Sequence, residues 1–394
     1  MALRLQPRRT HLPARRIARW HDVASKTKAV PAQRIRSLDA LRGFDMLWII
    51  GGDAVAASIA NISHNSRTET VMTGFSEHVP WVGLHFYDLI FPLFIVIMGV
   101  ALPHSIGERL EQGESRRSVL GKIFRRTALL ILLGLVYNGL FLFQGWEQLR
   151  LFGVLQRLGL AYCATSVLMV FTSRKTQAAV GVGLLVLYWA LMNWIPVPGY
   201  PLGTLSENGN AANYLDRLLL LRHQMFTSYG DPEGLLSTIP AISTCILGVF
   251  AGYWLQSDRP KQRKAVGLVL AGIACIGLGL LWMPAFPIIK KIWTSSFALT
   301  TGGLSLLLLA TFYWIIDVRG WSKWAIPLVV IGMNPLLIYL LAEVVDFEGI
   351  AGYFLNGPLH SYSTYQALGI AMGSLLAKWL LLYFLYKQKI FVRI

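Results

Sequence analysis

Apolar runs long enough to cross a bilayer recur from about residue 41 to residue 386 of this 394-residue chain, and they limit what it can fold into more than any motif does. A hydrocarbon core about 30 Å thick takes about 20 apolar residues of helix, because lipid offers no partner for an open backbone N–H or C=O. The runs predict an all-α polytopic membrane protein with about ten transmembrane helices, at 41–60, 84–106, 127–143, 152–172, 177–195, 235–256, 265–283, 294–316, 325–345 and 364–386. Charged residues make up 14% of the chain and hydrophobic ones 55%, against about a quarter charged in soluble domains, which excludes an ordinary cytosolic enzyme. Cys163, Cys245 and Cys275 each lie inside an apolar run, where cysteine behaves as a small buried hydrophobe, so a secreted disulfide scaffold is excluded too.

The net charge of +16 invites a nucleic-acid reading, but its distribution follows the membrane. Residues 1–36 carry ten Lys or Arg against one acid, Asp22, with no cleavable signal pattern, and read as a basic cytoplasmic tail in reach of anionic membrane lipid. With the N-terminus inside, 27 of the 36 basic residues fall on inner segments, six on outer loops and three within spans. The excess of inner positive charge predicts that both termini are cytoplasmic, and it removes nucleic acid as a partner. Residues 37–394 then form a single transmembrane domain with long outer loops at about 61–83 and 196–234. Within the second loop, Asn213–Phe226 has apolar residues at helical spacing and reads as a short helix on the membrane face.

Charged groups inside lipid-length spans are costly, so each is a functional candidate. Arg42, Asp45 and Asp53 fall in the first predicted span, Asp88 at the head of the second, Arg157 in the fourth and Lys378 in the tenth. Arg42 and Lys378 alternatively extend to the surface, and Arg42 alternatively pairs with Asp45 on one helical face. Asp88 is a candidate substrate ligand or a helix-positioning acceptor, and Arg157 either pairs with a carboxylate or holds a ligand anion. His64, His78 and His85 flank the mouth between the first two spans, while His11 and His21 lie in the tail. His104, His223 and His360 read as surface or packing groups. No histidine pair has H-E-x-x-H spacing and no Cys–His cluster occurs, so no metal is expected. A Walker A loop, a dinucleotide glycine fingerprint and a G-x-S-x-G elbow are also missing. These residues alone leave an enzyme and a transporter both open.

Several blocks carry a more specific resemblance. Arg36-Ser-Leu-Asp-Ala-Leu-Arg-Gly43 is followed by His78-Val-Pro-Trp-Val-Gly-Leu-His-Phe-Tyr-Asp-Leu-Ile-Phe-Pro92, Gly153-Val-Leu-Gln-Arg-Leu-Gly159 and Tyr229-Gly-Asp-Pro-Glu-Gly-Leu-Leu-Ser-Thr-Ile239. Trp293-Thr-Ser-Ser-Phe297, Gly332-Met-Asn334 and Tyr386-Lys-Gln-Lys-Ile-Phe391 complete the series. In this order they resemble the membrane-embedded acyltransferases related to heparan-α-glucosaminide N-acetyltransferase. The resemblance implies a bacterial inner-membrane member, a homodimer, that takes acetyl-CoA as co-substrate from the cytosolic side. It further implies acetylation of the amine of a glucosamine-containing sugar on the other side. The family's catalytic histidine falls on His78. Asp53 falls where the animal enzyme has asparagine, which implies that it orients His78 or binds the substrate ammonium.

Acyl transfer from a thioester to an amine needs a neutral nucleophile, a base for its proton and donors for the developing oxyanion. His78 is a candidate general base or transient acetyl acceptor. For coenzyme A the inner face offers Arg42, Arg126 and Arg393, with Arg157 and Asn334 as candidates along the route to His78. Asp88, Asp231 and Glu233 are the candidate acceptor-side ligands. The alternative from another class is a transporter or flippase for a sugar or acyl donor, which would have no need of a histidine at position 78. A non-catalytic scaffolding relative is the third reading, and the intact His78 and Arg157 blocks count against it.

Overall fold

The computed structural model describes residues 35–63, 65–142, 146–220 and 225–392. The tail residues through Arg34, His64, His223 and Arg393 therefore lie outside the described residues. The described chain is built of helices, with one isolated antiparallel bridge between Val82 and Ile289. Helix α1 (Arg36–Leu47) breaks at Trp48–Gly52 and resumes as α2 (Asp53–Ile62), with α3 (Ser66–Ser76) folded back beside it. Then come α4 (Ile90–Leu102), α5 (Glu108–Glu111), α6 (Arg116–Tyr137), α7 (Val154–Phe171), α8 (Arg174–Trp194) and the short α9 (Ala211–Leu219). They are followed by α10 (Thr238–Gln256), α11 (Lys261–Trp282), α12 (Ser295–Tyr313), α13 (Ile326–Gly332), α14 (Pro335–Val344), α15 (Phe347–Leu359) and α16 (Ser363–Lys387). Helix starts follow side-chain chemistry, since an N-cap oxygen satisfies an otherwise open N–H of the first turn. Asn65 accepts from Arg67 and Thr68, Ser173 from Thr176, Asn210 from Asn213, and Thr294 from Phe297.

Among the described residues eight helices are long and apolar enough to cross a membrane, or nine if α13 and α14 count as one bent span. This is a polytopic membrane fold. The expected ten differ at 127–143, where α6 begins at Arg116 and brings Arg116, Arg117, Lys122, Arg125 and Arg126 into the same helix. Helices α4, α7, α10 and α12 are the buried centre, and α8, α11 and α16 present apolar side chains such as Leu187, Leu270 and Leu376 outward, as lipid contact requires. At the centre α4 and α10 touch backbone to backbone. A Cβ on Gly99 would meet the Cys245 carbonyl oxygen at 2.2 Å, and one on Gly248 would meet that of Val96 at 2.3 Å. Only glycine permits that approach.

Two breaks depart from the expected continuous spans, and each uses a polar residue that the sequence singled out. In the first, Gly51 adopts φ 140°, a backbone state open to glycine. The Lys378 ammonium, on a residue 8% exposed, donates to the Ile50 carbonyl at 2.8 Å; Lys378 thus fastens α16 to the break instead of extending to the surface. In the second, α13 and α14 are bent by 63° around Asn334, with Pro335 starting the new helix. Asn334 donates to the Ile390 carbonyl at 2.9 Å and accepts from the Val392 N–H at 2.8 Å. Its amide, expected along a co-substrate route, anchors the C-terminal segment. Arg42 pairs with Asp39 at 3.4 Å and its charge also acts on Asp45, whose buried oxygens make no hydrogen bond among the described residues.

Candidate active site

His78 lies on the segment between α3 and the turn Phe86–Leu89 that leads into α4. Its Nδ1 is 2.9 Å from Asp88 Oδ1. The side chain of Asp88 is fully buried, that of His78 is 45% exposed. Asp88 Oδ2 also accepts the His85 N–H at 2.8 Å and the Val79 N–H at 3.3 Å. One carboxylate therefore caps the turn into α4 and clamps both ends of the loop that carries the histidine. A buried carboxylate at Nδ1 fixes the tautomer: Nδ1 carries the hydrogen and donates, and Nε2 keeps its lone pair. Asp88, expected as a substrate ligand, has its oxygens engaged by its own chain, which matches the positioning alternative.

A residue that the sequence reading passed over completes the cluster. The Lys290 Nζ is 2.7 Å from both ring nitrogens of His78 and 3.6 Å from Asp88 Oδ1. With Nδ1 committed to Asp88, Nε2 is the ring nitrogen left open beside Lys290. The Lys290 side chain is 14% exposed, and burial pushes its ammonium down to about 8 against the pull of Asp88. Its position is built locally. The Val82–Ile289 bridge and the Gly83 N–H to Ile288 carbonyl bond, 2.9 Å, lay the segment before α12 along the His78 loop. The turn from Lys290 to Trp293 closes at 2.8 Å and needs φ 49° at Trp293, a strained state for a bulky side chain that costs about 1–3 kcal/mol. Burial of the Trp293 ring against Phe91 and Phe297 offsets it. The available sequence signal was positional: Lys290 and Lys291 stand on a segment that the charge count assigned to the cation-poor outer side.

Asp53 stands beside this cluster. Its Oδ2 accepts from the Tyr87 hydroxyl at 2.8 Å and its Oδ1 accepts from the Ala54 N–H at 2.8 Å. The Tyr87 ring in turn stacks on His78, with centroids 4.7 Å apart. The carboxylate that bonds His78 is thus Asp88, and Asp53 is linked to the histidine through the Tyr87 side chain. An amide oxygen can accept the same hydroxyl, so Asp53→Asn is expected to keep turnover within about tenfold of wild type, less than the 10²–10⁴-fold scale of a lost acid–base group. A steady-state rate measurement on the variant checks this, and a loss of that larger size would show that the charge itself is needed.

Asp231 and Glu233, expected as acceptor ligands, are engaged elsewhere. Arg150 Nε and Nη2 each lie 2.8 Å from an oxygen of Asp231, and Nη2 is 2.5 Å from Glu233 Oε2. The fork matches the bidentate geometry that guanidinium and carboxylate favour. Asp216 on α9 takes the N–H of Asp231 at 3.3 Å and that of Leu235 at 3.2 Å, and burial pushes its carboxyl up to about 6. Together these bonds shape the loop before α10, which the Arg217 guanidinium ties to the Tyr229 carbonyl at 2.7 Å.

Arg157 on α7 is completely buried. It donates to Ser237 Oγ, and its guanidinium sits 4.9 Å from the Trp293 ring centre. Its Nε and Nη1 have no hydrogen-bond partner among the described residues. Along the same helix Gln156, Thr165 and Ser166 also hold buried, unpartnered polar atoms, as do Arg126 Nε and Thr127 Oγ1 on α6. Arg157 and Ser166 are nine residues apart, about 14 Å of helix. Unpartnered polar groups in such number are costly unless a polar ligand or water meets them. Arg126 additionally covers the Tyr162 ring at 4.6 Å.

Comparison with known proteins meets this geometry. The chain is 30% identical to heparan-alpha-glucosaminide N-acetyltransferase of Mus musculus over 95% of its length, and 28% identical to that of Homo sapiens over 92%. It spans 62% and 60% of the length of those two relatives. Residues 34–283, which hold His78, Asp88, Arg150 and Arg157, match the family described as heparan-alpha-glucosaminide N-acetyltransferase, catalytic. The polytopic membrane chain described here belongs to that family.

Proposed function

We propose that this protein is a transmembrane N-acetyltransferase that moves an acetyl group from acetyl-CoA to the amine of a glucosamine-type sugar. The observation that carries the reading is the His78–Asp88 pair, a half-exposed imidazole whose tautomer is set by a buried carboxylate. Family membership and the names of the relatives support the reaction class. His78 acts as the general base: Nε2 accepts the proton of the attacking amine, and the resulting imidazolium is stabilised by Asp88. Lys290 supports this role in that a primary amine fits against the His78 ring, within 2.7 Å of its nitrogens. The acceptor amine takes that place in turnover.

Acetyl-CoA supplies the activated acetyl group as a thioester. The unpartnered atoms of Arg126, Thr127, Gln156, Arg157, Thr165 and Ser166 suit its polar arm, and the Arg157 guanidinium has N–H groups to offer a developing oxyanion. On the acceptor side Tyr87 stacks on the histidine and holds Asp53, and the Trp81–Tyr229 edge-to-face pair, 6.2 Å between centres, flanks Lys291. By resemblance we place the protein in the bacterial inner membrane as a homodimer, with donor binding on the cytoplasmic side and the His78 end facing outward. Sealed proteoliposomes of known orientation test this, with labelled acetyl-CoA on the face bearing the termini and glucosamine on the other. The expected result is labelled N-acetylglucosamine on the acceptor side only. Protein that binds acetyl-CoA yet yields no acetylated amino sugar in either orientation would contradict the reading.

A further inference from the structure

The site contains its own primary amine. Lys290 Nζ lies against the His78 ring, 2.7 Å from both of its nitrogens, so the amine and the proposed base are in contact and a small shift of Nζ brings it in line with Nε2. The amine is 14% exposed at the side chain, and it is held there by the Val82–Ile289 bridge and the strained turn at Trp293. Asp88 Oδ1 pairs with the ammonium at 3.6 Å, a longer contact than the carboxylate makes to His78, Val79 and His85, so Nζ gives up this ion pair when it reacts. We propose that Lys290 is a self-acetylation site: when no acceptor sugar is bound, the enzyme transfers the acetyl group of acetyl-CoA to Lys290 Nζ, using His78 as the base.

This rests on the reading of the site as an acetyl-CoA-dependent transferase. In the step, neutral Nζ attacks the thioester carbonyl carbon, a C–N bond forms and the C–S bond breaks. The Nζ proton passes to His78 Nε2 and from there to the departing thiolate, leaving Nε-acetyllysine and coenzyme A. Nothing beyond the proposed donor is consumed. The product removes a cation next to Asp88 and sets an amide methyl against Nε2, where the acceptor amine must bind. Self-acetylation therefore switches the enzyme off, and acceptor protects against it. The groups facing Lys290 are His78 and Asp88 on the loop and turn before α4, Glu233 before α10 and Arg157 on α7. Among them burial sets the amine near 8, so the modification rate rises with pH from 6 to about 8 as the neutral amine becomes available.

The test incubates full-length protein in detergent micelles with labelled acetyl-CoA, with and without glucosamine, and locates the label by peptide mass spectrometry. Wild type is expected to carry acetyl on Lys290 without glucosamine. His78→Ala is expected to reduce that label about 10²-fold or more, the low end of base catalysis, while exposed lysines are labelled equally in both proteins. Preincubation with acetyl-CoA is expected to inactivate wild type progressively, and Lys290→Arg is expected to lack that time-dependent loss. Equal labelling of Lys290 in wild type and His78→Ala would overturn the proposal as spontaneous chemistry. Acetylated glucosamine from a sample whose Lys290 stays unmodified without acceptor would overturn it and leave the proposed function standing. If neither glucosamine nor Lys290 is acetylated, both fall.

Discussion

His78→Ala is expected to lower the rate of acetyl transfer about 10²–10⁴-fold, the range for removal of a positioned acid–base group. The loss should appear in kcat, because the imidazole acts on a proton that moves only as the new bond forms. Fold should survive the change. The His78 side chain is 45% exposed, and the two ends of its loop are held by Val79 and His85 N–H bonds to Asp88 that alanine at position 78 leaves in place. Measuring initial rates with labelled acetyl-CoA and glucosamine, beside a thermal unfolding curve, separates the two effects. A variant with wild-type turnover would remove the histidine from the chemistry.

Arg150→Ala is expected to produce the largest loss of stability, about 3–5 kcal/mol, because it strands two carboxylates in a buried environment. Asp231 is fully buried at its side chain and Glu233 is 12% exposed, with Arg150 itself at 22%. The cost comes from leaving the acids unpaired rather than from the worth of the pair. Replacing Arg150 and Asp231 together with apolar residues should therefore recover part of the loss. Unfolding in a fixed detergent reads both variants. If Arg150→Ala unfolds at the wild-type temperature, the three-residue cluster carries no structural role, and Asp231 and Glu233 return as acceptor ligands.

The sequence made the membrane architecture legible because lipid imposes length and composition on every crossing helix. It also drew attention to His78, Asp88, Arg157 and Lys378, whose charge or polarity stood out against an apolar background. Their partners were less accessible. Asp88 and Asp53 are both acids near the same mouth, and only the folded loop shows that Asp88 bonds His78 Nδ1 while Asp53 reaches the Tyr87 hydroxyl. Arg150 meets Asp231 across 81 residues and Lys290 meets His78 across 212, separations at which no helical or strand period carries information. The Lys290 position further depends on a left-handed Trp293, a conformation that residue type argues against. Lys378 looked like a surface-seeking lysine because the break at Gly51, which frees the Ile50 carbonyl it binds, has no sequence signature in an apolar helix that already contains two adjacent glycines. The bonds of Asn334 are equally hidden, because its partners are the backbone of Ile390 and Val392, far along the chain and apolar in sequence.

In the proposed reaction Asp88 and His78 work as one unit, with the carboxylate fixing the tautomer that leaves Nε2 able to accept a proton. The most direct measurement is kcat for wild type, His78→Ala, Asp88→Asn and the double variant under one set of conditions. Groups that act as a unit are strongly non-additive. The expected result is that Asp88→Asn alone lowers kcat about 10²-fold or more and that adding it to His78→Ala lowers kcat little further, as a shared role requires. Independent losses that multiply in the double variant, or near-wild-type turnover in Asp88→Asn, would contradict it.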